Sequence, residues 1–301
     1  MYDVVIVGGG PAGLTAATYV RRAGKSVLVI EKDGFGGQIA WSPRVENFPG
    51  FVSISGAELG DKFLQQAMEQ GADVELEEVS EIAGETGHRT VKCLSGAEFE
   101  AKAVIIAAGA KPRMLGLDNE EALVGNGVCF CAVCDGIFYK DKPVAVAGGG
   151  NSALQDAMLL SEKCSKVYLI HRRDSFRGEA KLVEALKKKE NVEFILSATI
   201  KALNGDTELS SLLLQTPAGE REVNVEGLFV AIGHKPDIAA FSSLMALDAG
   251  GYADSDEGCT TISPDIYVAG DCRRKKVHQL TTAVADGASA ALAACEFIDS
   301  L

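Results

Sequence analysis

The chain has 301 residues and a formal charge of −13, with 42 acidic and 29 basic residues. Its length predicts two domains, and a hydrophobic content of 47% is enough to bury a core in each. The acidic balance argues against nucleic acid as a partner, because phosphate binding needs a concentrated basic face. No apolar run is long enough to span a membrane, and the sequence starts in a strand-like run without a basic leader. We therefore expect a cytoplasmic protein.

The first pattern in chain order is an internal repeat. Val4–Gly13 (VVIVGGGPAG) matches Val144–Ala153 (VAVAGGGNSA), 140 residues further on. Each copy is a strand-like run, a glycine turn and the start of a helix, predicted over residues 12–23 and 152–163, and a second strand follows. Such a βαβ unit opens a parallel sheet and places a pyrophosphate at the helix N-terminus. The repeat predicts a three-layer α/β protein with two Rossmann-like, dinucleotide-binding domains.

A second repeat marks where the chain crosses between these domains. Val104–Pro112 resembles Leu228–Pro236, and both are buried-strand runs ended by glycine and proline. We therefore predict a discontinuous first domain at residues 1–113 and 239–301, with the second domain, 114–238, inserted into it. Alternating stretches before the crossings are predicted to be antiparallel strands, at residues 73–78, 91–101, 192–203 and 209–225.

The two copies of the repeat differ where their second strand ends. In the first copy that residue is Glu31, which can accept hydrogen bonds from both ribose hydroxyls and would repel a 2′-phosphate. In the second copy it is His171, followed by Arg172, Arg173 and Arg177. Planar guanidinium groups suit a 2′-phosphate, although a solvated turn is an alternative interpretation. The first site is thus predicted to hold FAD or NAD, and the second NADP(H).

Cys131 and Cys134 form a CxxC pair, followed directly by Asp135. Thiols three positions apart can close a small disulfide, and a neighbouring acid can manage its proton. Two alternatives are inert structural thiols and half of a zinc site that includes Cys129, although no second pair of ligands is apparent. A flavin accepts hydride and passes electrons to a disulfide, so the redox interpretation completes an electron path.

Together these segments resemble the bacterial low-molecular-weight thioredoxin reductases over essentially the full chain. The segments that carry the resemblance are Gly8–Gly13, Gly36-Gly37-Gln38, Val45–Gly50, Cys131–Gly136, Gly148–Ala153, His171–Arg177 and Gly270-Asp271. The resemblance implies FAD in the split domain, NADPH in the inserted domain and a homodimer. It also implies that the partner is thioredoxin or a thioredoxin-like protein, whose disulfide is reduced.

The resemblance further implies roles for individual residues. Cys131, Cys134 and Asp135 become the catalytic residues, with Cys134 the thiol nearer the flavin and Asp135 the acid. No metal site is predicted. The implied FAD-binding residues are Gly8, Gly10, Pro11, Ala12, Gly13, Glu31, Lys32, Gly36, Gly37, Gln38, Asn47, Gly270, Asp271, His278, Gln279 and Leu280. The implied NADPH-binding residues are Gly148, Gly150, Asn151, Ser152, Ala153, His171, Arg172, Arg173 and Arg177.

The C-terminal segment departs from the family pattern. Where other members have an Arg-Gln pair after the Gly-Asp, this chain has His278-Gln279. The basic run Arg273–Lys276 has no assigned role and is interpreted as a solvated loop. A helix predicted from about Thr281 to Phe297 would direct its N-terminus toward the flavin, where the helix dipole stabilises negative charge.

The predicted function is an NADPH-dependent flavoprotein disulfide reductase. A ferredoxin- or flavodoxin-type NADP reductase would have the same nucleotide sites but use no thiols. A non-catalytic redox sensor would bind the cofactors without turnover. Because nicotinamide and disulfide both need the flavin face, we expect the inserted domain to rotate about the two crossings.

Overall fold

Seventeen strands and six helices lie along the chain in the computed structural model, which describes all 301 residues. The strands are β1 (Tyr2–Val7), β2 (Val27–Glu31), β3 (Asp73–Leu76), β4 (Val79–Glu85), β5 (His88–Cys93), β6 (Glu98–Ile106), β7 (Ala110–Pro112), β8 (Val128–Cys129), β9 (Pro143–Ala147), β10 (Lys166–Ile170), β11 (Val192–Ile195), β12 (Thr199–Asn204), β13 (Ser211–Thr216), β14 (Gly219–Asn224), β15 (Gly227–Val230), β16 (His234–Pro236) and β17 (Ile266–Val268). The helices are α1 (Pro11–Arg22), α2 (Gly56–Glu69), α3 (Ala132–Asp135), α4 (Asn151–Ser161), α5 (Ala180–Lys187) and α6 (Leu280–Asp299).

The chain separates into two units. The first comprises residues 1–111 and 235–301, and the second comprises residues 112–234. The boundaries expected from the sequence, after residues 113 and 238, fall slightly later in the chain. The change of unit occurs inside β7 and β16, which pair with each other, so no loop marks it for sequence reasoning.

A seven-stranded sheet forms the centre of the first unit, with its strands in the order β3-β2-β1-β6-β5-β4 and β17 paired with β6. β1 is parallel to both β2 and β6, and its Val4, Val5 and Ile6 are fully buried. Strands that carry β-branched residues and are covered on both faces are typical of parallel sheets flanked by helices. β4, β5 and the first half of β6 form the antiparallel part of this sheet.

The second unit repeats this arrangement with a shorter sheet. Its five strands lie in the order β11-β10-β9-β15-β8, and every pair in it is parallel. A separate three-stranded antiparallel sheet, β12-β13-β14, follows α5. The α/β fold with parallel sheets is the one predicted from the sequence.

Two strand predictions are wrong, one of them in part. The stretch at residues 73–78 is expected to be antiparallel, but β3 pairs in parallel with β2. In the stretch at residues 192–203, β11 pairs in parallel with β10, whereas β12 has the expected antiparallel partner. β3 and β11 each lie at the edge of their sheet, and their side chains are mostly exposed or half-buried. An exposed edge strand shows the same polar alternation as a half-solvated antiparallel strand, so the pattern alone does not distinguish them.

Helices α1 and α6 pack closely where the first glycine turn ends. α1 starts with Pro11 at its first position, where the missing N–H costs nothing. A side chain added at Gly287 of α6 would overlap the backbone of Ala12, so only glycine permits this contact. The start of α1 and the middle of α6 are thereby fixed against each other. No helix of the structure is both long enough and apolar enough to cross a membrane.

Candidate active site and nucleotide-binding sites

Cys131 and Cys134 are joined by a disulfide, with their Cα atoms 5.3 Å apart. Cys131 is the N-cap of α3, and its Sγ accepts a hydrogen bond from the N–H of Cys134 at 3.1 Å. The four-residue helix therefore places both sulfurs at one turn. Both cysteines are half-buried, so solvent reaches the disulfide. The CxxC segment has the bond that the redox interpretation requires.

Asp135 provides a half-buried carboxyl group directly after this disulfide. Burial raises the pKa of Asp135 to about 6, which is close to neutrality. A carboxyl group with such a pKa can donate a proton near physiological pH and take it back.

Cys129 is a third thiol in the same segment, but its environment is inert. It is buried, and its Sγ lies 3.4 Å from the hydroxyl oxygen of Tyr139. Burial, followed by the charge of Asp135, raises the pKa of Cys129 to about 12. The thiolate is the reactive form of cysteine, so Cys129 does not compete with Cys131 or Cys134 as a nucleophile. No group of three or more His, Cys, Asp and Glu side chains is arranged to hold a metal ion.

The first glycine turn is held by Glu31. Its Oε2 accepts a hydrogen bond from the N–H of Gly9 at 2.6 Å, and its Oε1 accepts from the N–H groups of Lys32 and Asp33, each at 2.9 Å. Gly8 has a φ of +112°, and a side chain there would overlap the backbone of Ala107. The chain can follow this path only with glycine, as the dinucleotide motif predicts.

A second glycine pair lies against this turn. Gly36 and Gly37 have φ angles of +100° and +62°, and a Cβ atom on Gly37 would stand 3.0 Å from the Cα of Gly10. Gln38 donates from Nε2 to the carbonyl oxygen of Ala110 at 3.0 Å, which anchors the segment. The structure thus brings Gly10 together with Gly36 and Gly37, although 26 positions separate them in the sequence.

The Gly270-Asp271 turn lies beside the start of α1. A Cβ atom added to Gly270 would stand 2.9 Å from the Cβ of Ala12. The Oδ1 atom of Asp271 is buried and accepts no hydrogen bond; Lys275 Nζ is 3.3 Å away but without hydrogen-bond geometry. A buried carboxylate oxygen without a donor, next to backbone that only glycine can form, fits a polyhydroxylated dinucleotide such as FAD.

Of the predicted FAD-binding residues at the start of α6, Gln279 contacts another predicted residue, whereas His278 and Leu280 contact residues outside the prediction. Gln279 is the N-cap of α6, forms a capping box with Thr282, and accepts a hydrogen bond from Asn47 Nδ2 at 3.3 Å. The structure therefore joins Asn47 and Gln279, as expected of one site. His278 is exposed, and its ring lies 5.7 Å from the ring of Tyr252. Leu280 packs on the small apolar cluster of Val45, Ile54 and Leu59.

Sequence reasoning missed the pocket beside Glu31. Lys32 Nζ lies 2.6 Å from Asp237 Oδ2 and 3.7 Å from Glu78 Oε1, and these charged groups border a pocket that also reaches Gly8 and Phe241. Asp237 and Glu78 lie far from the glycine motif in the sequence. Glu78 comes close because β3, which ends just before it, pairs with β2, and Asp237 comes close because β16 returns the chain to the first unit.

The second glycine turn has a different lining. The ring of His171 lies against Gly149, stacks on the ring of Phe176 at 5.5 Å, and leaves a buried Nε2 atom without a partner. Burial and then the charges of Arg173, Arg177 and Arg172 lower the pKa of His171, so the ring is neutral at physiological pH. A neutral imidazole with a free nitrogen can bind a ligand polar group beside the glycine turn.

Arg172, Arg173 and Arg177 are all exposed, and none of the three guanidinium groups takes part in an ion pair. This is notable in a chain with an excess of acidic residues. Asn151 at the start of α4 is instead engaged: its Oδ1 accepts from the N–H of Glu179 at 2.8 Å. The segment that follows β10 thus offers three unpaired cations to an anionic ligand.

Comparison with known proteins agrees with this arrangement. The family model described as "Pyridine nucleotide-disulphide oxidoreductase" matches residues 2–287. The chain belongs to this family. The thioredoxin reductase of Listeria innocua is 40% identical over 304 residues, which cover 100% of this chain and 95% of that protein. The thioredoxin reductase of Bacillus subtilis is 38% identical, again over 100% of this chain and 96% of the relative.

Solved structures give the same result. The crystal structure of thioredoxin reductase from Streptococcus pyogenes matches with a TM-score of 0.95 at 36% identity and covers 100% of this chain and 99% of its own. The fold class and the family resemblance are confirmed. So is the kind of enzyme: an FAD-dependent disulfide reductase that takes its electrons from NADPH. The comparisons favour neither the ferredoxin- or flavodoxin-type reductase nor the sensor. The roles of individual residues stay predictions.

Proposed function

We propose that this protein is a cytoplasmic thioredoxin reductase that acts as a homodimer. The Cys131–Cys134 disulfide next to the half-buried Asp135 carries this proposal, because it gives a chain with two dinucleotide turns an acceptor for electrons. A hydride from NADPH and one proton from solvent convert this disulfide to a dithiol. Exchange with the disulfide of thioredoxin then restores Cys131–Cys134 and leaves thioredoxin as a dithiol. A product of this kind suits the reducing cytoplasm.

The first unit is proposed to hold FAD, which supplies the two-electron relay between NADPH and the disulfide. The glycine turns at Gly8–Gly13 and Gly36-Gly37 give the backbone room for a pyrophosphate, and Glu31 lies where the adenosine ribose is bound in such folds. The buried Oδ1 atom of Asp271 accepts no hydrogen bond within the protein and can accept one from a ribityl hydroxyl. Asn47 and Gln279 are proposed to lie at the flavin end.

The second unit is proposed to hold NADPH at its glycine turn, Gly148–Ala153. The unpaired guanidinium groups of Arg172, Arg173 and Arg177 would bind the 2′-phosphate, and the neutral His171 would lie beside it. NADP⁺ leaves and a new NADPH binds in each catalytic cycle, which agrees with exposed arginines rather than a closed pocket. The rotation of the inserted unit stays a prediction.

Asp135 is proposed to be the acid that protonates the leaving sulfur, both when Cys131–Cys134 opens and when the dithiol exchanges with the thioredoxin disulfide. Cys134 is proposed to be the cysteine nearer the flavin. Its carboxyl group, with a pKa of about 6, matches this task. Two exposed apolar side chains flank the disulfide: Val133 is 63% exposed and Ile137 is 45% exposed. Apolar groups around a reactive bond are suited to a protein partner, which must bring its own disulfide against this segment.

The proposal is tested with the purified protein. It should be yellow, and heat should release FAD and no FMN. With NADPH and an oxidised thioredoxin, each NADPH consumed should yield two thiols, measured with a disulfide dye. A protein that contains FAD and oxidises NADPH but reduces no member of a thioredoxin panel would disprove the proposed partner, and sedimentation as a monomer would disprove the homodimer.

A further inference from the structure

The basic run Arg273–Lys276 is not the solvated loop expected from the sequence. Arg273 is 8% exposed and the side chain of Lys275 is 11% exposed, whereas Arg274 and Lys276 are exposed. Arg273 has an extended backbone conformation, so successive side chains point to opposite sides. Two of the four cations are therefore directed into the first unit, close to Asp271.

Asp286 of α6 receives both of these cations. Its Oδ1 accepts a hydrogen bond from Arg273 Nη1 at 2.6 Å, and its Oδ2 accepts from Lys275 Nζ at 2.9 Å. Oδ2 also accepts the N–H of Gly270 at 3.1 Å. The Asp286 side chain is 11% exposed, so this carboxylate is well shielded from water. One buried acid thus ties α6 to the turn that carries Asp271.

The two cations differ in their remaining partners. Arg273 donates from Nε to Ser255 Oγ and from Nη2 to the carbonyl oxygen of Asp256, so it braces the loop before β17. Lys275 Nζ instead lies 3.3 Å from Asp271 Oδ1, in the only ion pair that Asp271 makes. Lys275 Nζ also lies 3.4 Å from Thr282 Oγ1, a hydroxyl group that keeps its hydrogen bonds to the carbonyl oxygens of Val277 and Gln279. Without Lys275, Asp286 would keep Arg273 and the Gly270 N–H, whereas Asp271 would lose its only cation.

We propose that Lys275 is a positioning residue for FAD. The Lys275 ammonium group is held by Asp286 and orients the Asp271 carboxylate. It also offsets the negative charge of that carboxylate where the anionic pyrophosphate binds. The inference rests on the proposed FAD site. An uncompensated carboxylate close to a diphosphate would oppose binding, and a shielded cation is screened little by salt. The lysine therefore acts on FAD through Asp271, whose Oδ1 would turn from Lys275 to the cofactor.

Reconstitution of the apo-protein tests this role. FAD is removed, added back, and its Kd measured by the quenching of flavin fluorescence. Lys275→Met keeps the apolar stem but removes the charge, and Lys276→Met is the matched control one residue further on. We expect the Kd of Lys275→Met to rise about 10- to 100-fold, as for the loss of a close charge partner of a shielded carboxylate. Lys276→Met should stay within about twofold of wild type.

A double-mutant cycle decides whether Lys275 acts through Asp271. In the Asp271→Asn background, Lys275→Met should add little to the Kd for FAD, because the group that the lysine orients is already neutral. Lys275→Arg keeps the charge, so its affinity for FAD should be close to that of the wild type. This variant still tests the charge requirement if Lys275→Met yields no folded protein. The unfolding midpoint of each apo-protein separates lost affinity from a damaged fold.

The inference is overturned by equal Kd values for Lys275→Met and Lys276→Met, by additive effects in the cycle, or by an arginine variant as weak as the methionine one. A wild-type protein that binds no FAD would instead refute the proposed function, since the proposed role of Lys275 requires a bound flavin.

Discussion

The two units share a backbone plan but differ in how their charged side chains are paired. In the first unit, Glu31 is occupied by three backbone N–H groups and Asp286 by Arg273 and Lys275. In the second unit, the three arginines after His171 have no acidic partner. Each unit keeps one buried polar atom without a hydrogen bond, Asp271 Oδ1 and His171 Nε2, so the difference lies in the charges. Paired charges suit a cofactor that stays bound, and unpaired, exposed charges suit an anionic ligand that exchanges in every cycle.

This contrast predicts that substitutions in the second unit alter turnover without loss of FAD. We expect the largest decrease in turnover when one of the two cysteines of the disulfide is replaced. Cys131→Ser or Cys134→Ser removes the bond that accepts electrons, so thioredoxin reduction should fall by at least about 10³-fold. Reduction of the flavin by NADPH, followed by its absorbance in stopped flow, should be nearly unchanged. Cys164→Ser, at a buried free thiol of the same unit, is the control. Near wild-type turnover in either active-site variant would contradict the electron path.

Asp135→Asn tests the half-buried acid of the second unit. Loss of a general acid typically slows a step by about 10²–10⁴-fold, so exchange between pre-reduced enzyme and thioredoxin should slow by this order. The pKa of Asp135 is about 6, and the acid is active when protonated, so the wild-type exchange rate should carry a component that falls as pH rises through 6. That component should be missing in the variant.

Asp156 provides the control for this pH profile. Burial also raises the pKa of Asp156 to about 6, but Asp156 belongs to α4, a helix that packs against α3, and not to the CxxC segment itself. Asp156→Asn should leave the exchange rate and its pH dependence as in wild type. The same loss in both variants would show that Asp135 acts through the charge of the unit and not as the acid.

The arginines test the contrast between the strand ends directly. Each charge-assisted hydrogen bond contributes about 1.5–3 kcal/mol, reduced here by exposure to solvent. Neutral replacements of Arg172 and Arg173 should therefore lower kcat/KM for NADPH by about 10²–10³-fold and leave NADH little affected. Arg221→Gln, which removes an exposed arginine paired with Glu193 in the same unit, should change neither. Equal efficiency of the wild-type enzyme with both nucleotides would refute the assignment.

Local patterns located the elements that surround the candidate site, while the roles of its residues stay predictions. Each glycine turn follows a strand and precedes a helix within ten residues, so the repeat identified α1 and α4 and the strands before them. The CxxC pair and its acid lie within five consecutive residues, where spacing alone fixes which groups can meet.

Long-range pairing explains what the sequence did not reveal. The inward direction of Arg273 and Lys275 depends on Asp286, which lies on another element and reads as an ordinary polar helix residue. A run of four cations has no visible partner in its own segment, so a solvated loop was the natural expectation. Similarly, Asp237 reaches Lys32 only because β16 returns the chain to the first unit. Tertiary contacts of this kind leave no periodic signal.

The smallest expected effect concerns stability and has the opposite sign from the effect on activity. The folded-state pKa of Asp135 is raised to about 6 from an ordinary value of 3.8, so the folded protein binds the proton more tightly than the unfolded chain does. The contribution of Asp135 to stability is therefore fully present below pH 4 and is lost as pH rises through 6. The loss amounts to about 2–3 kcal/mol at most.

Asp135→Asn stays neutral at every pH in this range. Its free energy of unfolding, measured by urea titration with the disulfide oxidised, should therefore overtake that of wild type between pH 4 and pH 7. Asp156→Asn should show the same crossover, because burial alone raises both pKa values. A constant difference between Asp135→Asn and wild type across this range would show that the carboxyl group is not desolvated in the folded protein, and its proposed role as an acid near neutrality would fail with it.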